Sequence, residues 1–281
     1  MRMLSLRGLN RISTGVDGLD EMLDGGLIAG RTYILSGDAG SGRSTLCAHF
    51  LMEGVKNGEE VLYVTIDSNP ADISANISNF GWDAGKIMIL NAHPRVREYK
   101  VRGSLIEVSS TSKTAASLKD MDDKEKAAKQ QATSQADLSL PSLQLRIQKE
   151  FEDHSYDRLV IDSVVSLKLL SSEEISWELG INSIIRLLSE EGITTLIVAD
   201  NPKPGEAVRP EFFMSHGIIK TCRLTANGKV YRSIYVEKLK ASAHDTQMRP
   251  MRITSKGLEV DSAKAMLPEV LSSFAQKFPR P

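Results

Sequence analysis

Aromatic residues are scarce in this sequence, at 5% of 281 residues. A protein that binds nucleic acid by stacking bases on aromatic side chains needs more of them, so the composition argues against such a platform. The formal net charge is -1, which excludes a strong basic field over the whole protein that would attract nucleic acid or an anionic membrane. Local basic patches are compatible with this balance.

Cysteine and long apolar runs are also rare. Cys47 and Cys222 lie far apart and lack the spacing of metal ligands, so we expect two small buried residues in a reducing cytoplasm. No apolar run approaches the roughly 20 residues that span a bilayer. The first residues, 1–7, are too short and too interrupted for a signal peptide. The sequence therefore predicts a cytoplasmic protein without membrane insertion.

The sequence does contain a glycine-rich stretch, between an apolar run at 32–35 and a helix-like run at 46–56. Glycines let backbone N–H groups approach phosphate oxygens, and the following helix turns its positive end toward the same oxygens. This strand, loop and helix predict a phosphate-binding loop. The predicted nucleotide-binding residues are Gly37, Asp38, Ala39, Gly40, Ser41, Gly42, Arg43, Ser44 and Thr45.

Arg43 is the one departure from the pattern G-x-x-x-x-G-K-[ST]. Arginine is longer, planar and forked, so it cannot take the compact position of the lysine. We expect nucleotide binding to survive, because backbone amides do not depend on side-chain identity. Charge stabilisation at the γ-phosphate needs tighter geometry, so we expect hydrolysis to suffer first.

Strands and helices alternate along the first part of the chain. Predicted strands at 31–36, 61–66 and 86–91 are separated by helices at 43–57 and 71–80. This order predicts an α/β fold with a mostly parallel central sheet and helices on both faces. Ligands of such sheets bind beyond the carboxyl ends of the strands, where the glycine loop falls.

A later apolar strand ends in Asp162. Together with the glycine loop, this acid predicts a Mg²⁺ site shared with the hydroxyl of Ser44. A further buried strand is predicted at 193–199. Strands at 216–226 and 229–239 flank the turn residues Asn227-Gly228, which predicts an antiparallel hairpin extension at the C-terminal side.

Three polar segments interrupt this order. Basic residues around Tyr99, within 95–102, fit either a nucleic-acid or nucleotide contact or a solvated edge strand. Residues 109–137 are predicted to form an inserted flexible loop. Residues 200–215, which are broken by prolines, are predicted to be a loop at the ligand-facing edge.

The organisation that follows is an N-terminal segment at 1–30, a main domain at 31–262 and a tail at 263–281. Val270, Leu271 and Phe274 have helical spacing in the tail, which favours packing on the protein itself over a partner site. His49 lies in the helix after the glycine loop without partners at ligand spacing, so we expect a packing or surface residue.

Four segments together resemble a KaiC-like domain of the RecA superfamily, over roughly residues 10–262. They are the N-terminal stretch 12–26, the glycine loop, the strand that ends in Asp162, and the block 236–244. The resemblance implies a RecA-like P-loop core and hexameric rings with ATP between adjacent subunits. It also implies that Lys238, Lys240 and His244 act across the subunit interface.

The departures from this family concern the γ-phosphate. In the family, two adjacent glutamates usually end the second strand, and the first of them orients the attacking water. Here the pair is Asp67-Ser68. Asp67 is therefore the catalytic candidate, and its side chain is one methylene shorter than glutamate. Lys240 replaces an arginine of the late block. Phe212-Phe213 stands where the clock proteins carry phosphoacceptors, so autokinase activity is not expected.

We therefore expect a KaiC-like protein that binds ATP and Mg²⁺, with weak or absent hydrolysis. It would act as an oligomeric regulatory or assembly subunit with an unidentified protein partner. Two alternatives stay open: an active ATPase of the KaiC or RecA type, and a RadA-like recombinase paralogue. The recombinase would bind single-stranded DNA through the basic cluster and the flexible loops.

Overall fold

A nine-stranded sheet forms the centre of the protein in the computed structural model, which describes residues 10–92, 139–170, 174–202 and 209–277. Its order is β11-β10-β9-β8-β3-β7-β6-β4-β5, and a separate two-stranded sheet pairs β1 with β2. The strands are β1 Arg11–Ile12, β2 Leu27–Ile28, β3 Thr32–Gly37, β4 Val61–Thr65, β5 Met88–Asn91, β6 Arg158–Asp162, β7 Thr194–Asp200, β8 Gly217–Ala226, β9 Lys229–Leu239, β10 Arg249–Thr254 and β11 Gly257–Val260.

Six neighbouring strands, from β8 through β3, β7, β6 and β4 to β5, pair in parallel. The strands from β8 to β11 pair antiparallel. Every residue of β3 and of β4 is buried, as expected of parallel strands covered on both faces. The predicted fold class, a mostly parallel sheet with an antiparallel C-terminal extension, is confirmed.

Helices follow most of the parallel strands. α3 begins with proline after Asn69, whose side chain accepts from the Ala71 N–H, and α4 begins with a capping box from Ser139. The helices are α1 Asp17–Met22, α2 Arg43–Lys56, α3 Pro70–Ser78, α4 Leu140–Asp153, α5 Val165–Leu170, α6 Glu174–Glu190, α7 Pro210–Met214 and α8 Pro268–Lys277, with a 3₁₀ turn at Ala84–Lys86.

The prediction of a continuous loop at 200–215 was wrong at both ends. Asp200 is the last residue of β7, and Pro210 starts the short helix α7. Proline breaks a helix interior but favours the first helical position, because its fixed φ suits a helix start and its missing N–H has no intrahelical partner there. The basic cluster at 95–102, the insertion at 109–137 and residues 203–208 lie outside the described residues.

Both cysteines are buried, as predicted. A small second core joins Cys222 and Leu224 of β8 to Val270 of α8, with Phe274 packed against it. Self-packing of the tail is therefore confirmed for these two tail residues, while Leu271 stays exposed. No helix among the described residues is long and apolar enough to cross a bilayer.

Arg158, at the start of β6, is completely buried and joins three parts of the chain. Its guanidinium donates to the carbonyl oxygens of Ser13 (2.6 Å) and Phe50 (2.9 Å) and forms an ion pair with Glu59. The same group lies 4.9 Å from the centre of the Phe50 ring. Arg158 thereby fixes the N-terminal segment and α2 to the sheet.

We expect Arg158→Met to lower the free energy of unfolding by about 3 kcal/mol, because Glu59 and two buried carbonyl groups lose their donor. Urea unfolding monitored by circular dichroism measures this loss. Arg186→Met is the control, since Arg186 pairs with Glu190 on the exposed surface of α6; its change should stay within about 0.5 kcal/mol. Equal losses in the two variants would contradict the role of Arg158 in fixing the N-terminal segment and α2 to the sheet.

His49 is a packing residue, as predicted. Its Nε2 accepts a hydrogen bond from the Leu258 N–H (2.8 Å), and its ring meets the edge of Trp82. Gly257 passes so close that a Cβ there would lie 2.2 Å from Nε2. Burial lowers the pKa of His49, and the hydrogen bond from Leu258 requires the neutral ring.

Because the folded state holds His49 neutral, the contribution of His49 to the free energy of unfolding is complete above the pKa of histidine in the unfolded chain, about 6.5. It is lost as the pH falls from that value through the lower pKa of the folded state. We expect the free energy of unfolding to fall more steeply from pH 7.5 to pH 5.5 in the wild type than in His49→Gln. Urea titrations at each pH measure both slopes, and parallel slopes would contradict this account.

Candidate nucleotide-binding site

The glycine-rich loop lies at the carboxyl end of β3, between β7 and β8, and leads directly into α2. Gly40 and Gly42 have φ values of 72° and 106°, which L side chains rarely adopt. Gly42 is the residue that precedes the first turn of α2. The glycines therefore turn the chain so that the first turn of α2 faces the loop.

Gly37 allows a close approach from β8. A Cβ on this residue would lie 2.0 Å from Oγ1 of Thr221 and 2.7 Å from Oγ of Ser41. The hydroxyl groups of Ser41 and Thr221 share a hydrogen bond of 2.7 Å, and both residues are fully buried. Ser41 thus anchors the loop from beneath, and its backbone N–H donates to the Asp38 carbonyl oxygen (3.1 Å).

Side chains and backbone of the neighbouring strands hold the rest of the loop. Asp38 accepts from the Arg223 N–H (3.1 Å) and from Nδ2 of Asn201 (3.3 Å). Arg232 donates from Nε to the Gly40 carbonyl oxygen (3.0 Å). The loop is therefore pre-formed by contacts to β8, β9 and the end of β7.

The outward side of the loop presents backbone donors. Among the described residues, no protein acceptor takes a hydrogen bond from the backbone N–H of Gly40, Gly42, Arg43, Ser44 or Thr45. The last three belong to the first turn of α2, where N–H groups have no partner within the helix. Backbone donors at the positive end of a helix, here 14 residues long, are the arrangement that binds anions in proteins.

Ser44 and Asp162 meet beside this turn, as the sequence predicts. Oγ of Ser44 donates to Oδ2 of Asp162 (3.2 Å), and the hydroxyl of Tyr63 donates to the same oxygen (2.5 Å). Burial, followed by the nearby Asp162 charge, raises the pKa of the Tyr63 phenol, which keeps it a neutral donor. The described residues contain no cluster of three or more His, Cys, Asp or Glu that could hold a metal.

Asp67 lies just beyond the end of β4, on the same edge of the sheet. Its Oδ2 accepts from Oγ of Ser163, the residue after Asp162 (3.0 Å). Asp67 also lines a cavity of about 430 Å³ between the start of α2, the end of β4 and α3. Other residues of this cavity are Ser44, Thr45, Ala48, Tyr63, Ser68, Asn69, Asp72, Ile73, Asn76, Ile77, Asn79 and Phe80.

Arg43 turns away from the helix start. Its NH1 group donates to the carbonyl oxygen of Ala199 (2.7 Å) and to Oδ1 of Asp200 (2.6 Å). Asp200 is the β7 residue paired with Gly37 in the sheet register. The guanidinium therefore contacts the end of the neighbouring strand.

The residues predicted to act across a subunit interface form a separate group. Nζ of Lys238 donates to the carbonyl oxygens of Phe212 (2.6 Å) and Phe213 (2.9 Å), and Lys240 donates to the latter (3.2 Å). Burial, followed by the charge of Lys240, lowers the pKa of Lys238. His244 approaches the Ser242 carbonyl at 3.5 Å. Within one chain, Lys238 and Lys240 contact α7, and His244 contacts the segment that follows β9. A role across a subunit interface therefore stays a prediction.

Sequence reasoning missed several residues that hold the site: Asn201, Thr221, Arg223, Arg232 and Tyr63. Asn201 directly follows the carboxyl end of β7, and that position alone could have marked it. Arg223 and Arg232 are cross-strand partners in the hairpin. Their approach to the loop depends on which strand lies beside β3, and the local sequence pattern does not give this.

Comparison with known proteins agrees with this geometry. Residues 12–265 match the family described as "ATPase: KaiC". A UPF0273 protein of Methanopyrus kandleri is 27% identical over 267 residues, covering 93% of this chain and 96% of its own. A KaiC-like protein of Pyrococcus horikoshii has the same fold, with a TM-score of 0.67, 23% identity and coverage of 90% of this chain and 100% of its own.

The circadian clock oscillator protein KaiC of Parathermosynechococcus lividus is 27% identical over 271 residues. This match covers 93% of the present chain but only 44% of the clock protein, so the chain spans less than half of that relative. The family match extends over most of the sequence and includes the glycine loop, Asp162 and the hairpin. The chain belongs to the KaiC family of ATPases.

Proposed function

We propose that this protein binds ATP with Mg²⁺ at the loop 37–45, hydrolyses it slowly or not at all, and acts as a nucleotide-dependent oligomeric subunit. The observation that carries the proposal is the set of backbone donors at the start of α2 that have no acceptor in the part of the chain that the structure describes. Phosphate oxygens are the acceptors that such a helix start binds best. These donors persist whichever side chain occupies position 43.

The oxygen groups beside the loop fit a magnesium ion. Ser44 and Asp162 supply one hydroxyl and one carboxylate, and Mg²⁺ in nucleotide sites usually keeps several water and phosphate ligands. Tyr63 would hold the Asp162 carboxylate in place. When bound, Mg²⁺ would neutralise part of the triphosphate charge.

The cavity beside Ser44 and Thr45 suits the nucleoside. At about 430 Å³ it lies within the usual range of small-molecule sites. Ile73, Ile77 and Phe80 offer apolar surface to a base, and Asn76 and Asn79 offer amide groups to its edge. The phosphates would then extend toward the backbone donors of α2.

Two features support weak hydrolysis. Arg43 is paired with Asp200, so the loop cation is directed at β7. Asp67 is shorter than glutamate and already accepts from Ser163. A transition state at the γ-phosphate needs closely placed charges, so these features slow turnover more than binding.

An oligomeric role is supported by the surface around α7. Phe213 is 65% exposed and lies beside Lys238 and Lys240, which donate to backbone carbonyls of α7. An exposed aromatic residue next to two cations is typical of a protein interface. In a ring, this surface would meet the nucleotide of the neighbouring subunit, and an unidentified protein would respond to the assembled state.

The second candidate function is an active ATPase. Its support is the position of Asp67 next to Ser163, which leaves a carboxylate at the same edge as Ser44 and Asp162. The alternative of a DNA-binding recombinase depends on the basic cluster at 95–102 and on the segments 109–137 and 201–214, which lie largely outside the described residues.

We expect ATP with Mg²⁺ to stabilise the folded protein by about 2.7 kcal/mol when ATP is at 100 times its dissociation constant. Thermal unfolding followed with and without nucleotide measures the shift. Asp162→Asn should remove the Mg²⁺-dependent part, because it loses the metal-binding charge. Asp157→Asn is the matched control, since Asp157 lies at the opposite end of β6 and accepts from the Glu60 N–H. No shift in the wild type would refute nucleotide binding.

We expect phosphate release from ATP to be slower than about 1 s⁻¹, the lower end for typical phosphoryl-transfer enzymes. Asp67→Glu should raise the rate about tenfold, because the longer side chain restores one contact to the attacking water. Asp83→Glu, in the turn before β5, is the control and should change nothing. Ordinary turnover in the wild type that Asp162→Asn abolishes would favour the active ATPase instead.

A further inference from the structure

The cation of the phosphate-binding loop is bound within the protein. Arg43 makes two short hydrogen bonds to the end of β7, and its side chain is only 17% exposed. Charge-assisted bonds of this length are among the stronger ones in proteins. A triphosphate that uses the NH1 group of Arg43 must therefore compete with the Asp200 carboxylate and the Ala199 carbonyl oxygen.

Asp200 is well placed to oppose phosphate binding. It is paired with Gly37 in the sheet, so its carboxylate lies beside the first residue of the loop. Its side chain is 49% exposed, so a substitution that removes its charge leaves no buried cavity. An uncompensated carboxylate at this position would also repel phosphate.

We propose that Asp200 is a positioning residue that withholds Arg43 from the nucleotide and so sets the affinity for ATP. Arginine at position 43 makes this contact possible, because its guanidinium binds a carboxylate and a carbonyl oxygen at once. The proposal rests on the function proposed above. It adds that the arginine itself can serve phosphate recognition, and that the acid at the end of β7 decides whether it does.

Binding of ATP with Mg²⁺ to four variants, measured by isothermal titration calorimetry, tests the proposal. They are the wild type, Asp200→Asn, Arg43→Ala and the double variant. We expect Asp200→Asn to lower the dissociation constant about tenfold, the effect of one released charge-assisted bond. In the Arg43→Ala background the same change should alter it by no more than about twofold, since the two residues act as a pair.

Glu237→Gln is the matched control for loss of a charge. Glu237 is a half-exposed carboxylate in an ion pair with Lys220, on a strand that does not carry the loop. The Glu237→Gln variant should bind ATP with the same affinity as the wild type. AMP, which lacks the β- and γ-phosphates, should bind Asp200→Asn and the wild type equally. Circular dichroism and urea unfolding test whether each variant is folded. If Asp200→Asn does not fold, Asp200→Ala takes its place.

The outcomes separate the two proposals. If the wild type binds ATP and Asp200→Asn binds it equally or less tightly, the function stands and the role of Asp200 is refuted. If only Asp200→Asn binds ATP, the role of Asp200 is supported and the function of the wild type is refuted. If neither folded protein binds, both fail. An equal gain in both backgrounds would show a general charge effect and would also refute the pairing.

Discussion

Backbone amides at the start of α2 are the groups on which the site depends. They point outward because Gly40 and Gly42 adopt backbone angles that other residues rarely adopt and because Gly37 lets β8 approach. The buried hydroxyl pair of Ser41 and Thr221 then fixes the loop on the sheet. The anion-binding geometry is thus a property of the main chain, and side chains around it adjust affinity and chemistry.

This division explains how an unusual side chain at position 43 is accommodated. Arginine needs a partner, and β7 supplies one where Asp200 and the Ala199 carbonyl end the strand. On the function proposed above, nucleotide binding and turnover depend on different groups.

The sequence predicts the fold and the hairpin turn because the relevant signals are local. Asn227 and Gly228 have positive φ values of 50° and 71°, which is the turn that this residue pair favours. Ser44 and Asp162 meet because Ser44 comes after β3 and Asp162 ends β6, and both strands end at the same edge of the sheet. The direction of Arg43 and the contacts of Arg223 and Arg232 could not be predicted, since each depends on which strands flank β3.

Strand β9 links two surfaces that the sequence presents as separate. Arg232 touches the loop carbonyl of Gly40, and Lys238, six residues further along, holds the end of α7. A strand rises about 3.4 Å per residue, so the two contacts lie roughly 20 Å apart along β9, with a register irregularity between Val236 and Lys238. If a ligand displaces the loop, the displacement would reach β9 through Arg232, and the other end of this strand lies beside the exposed Phe213.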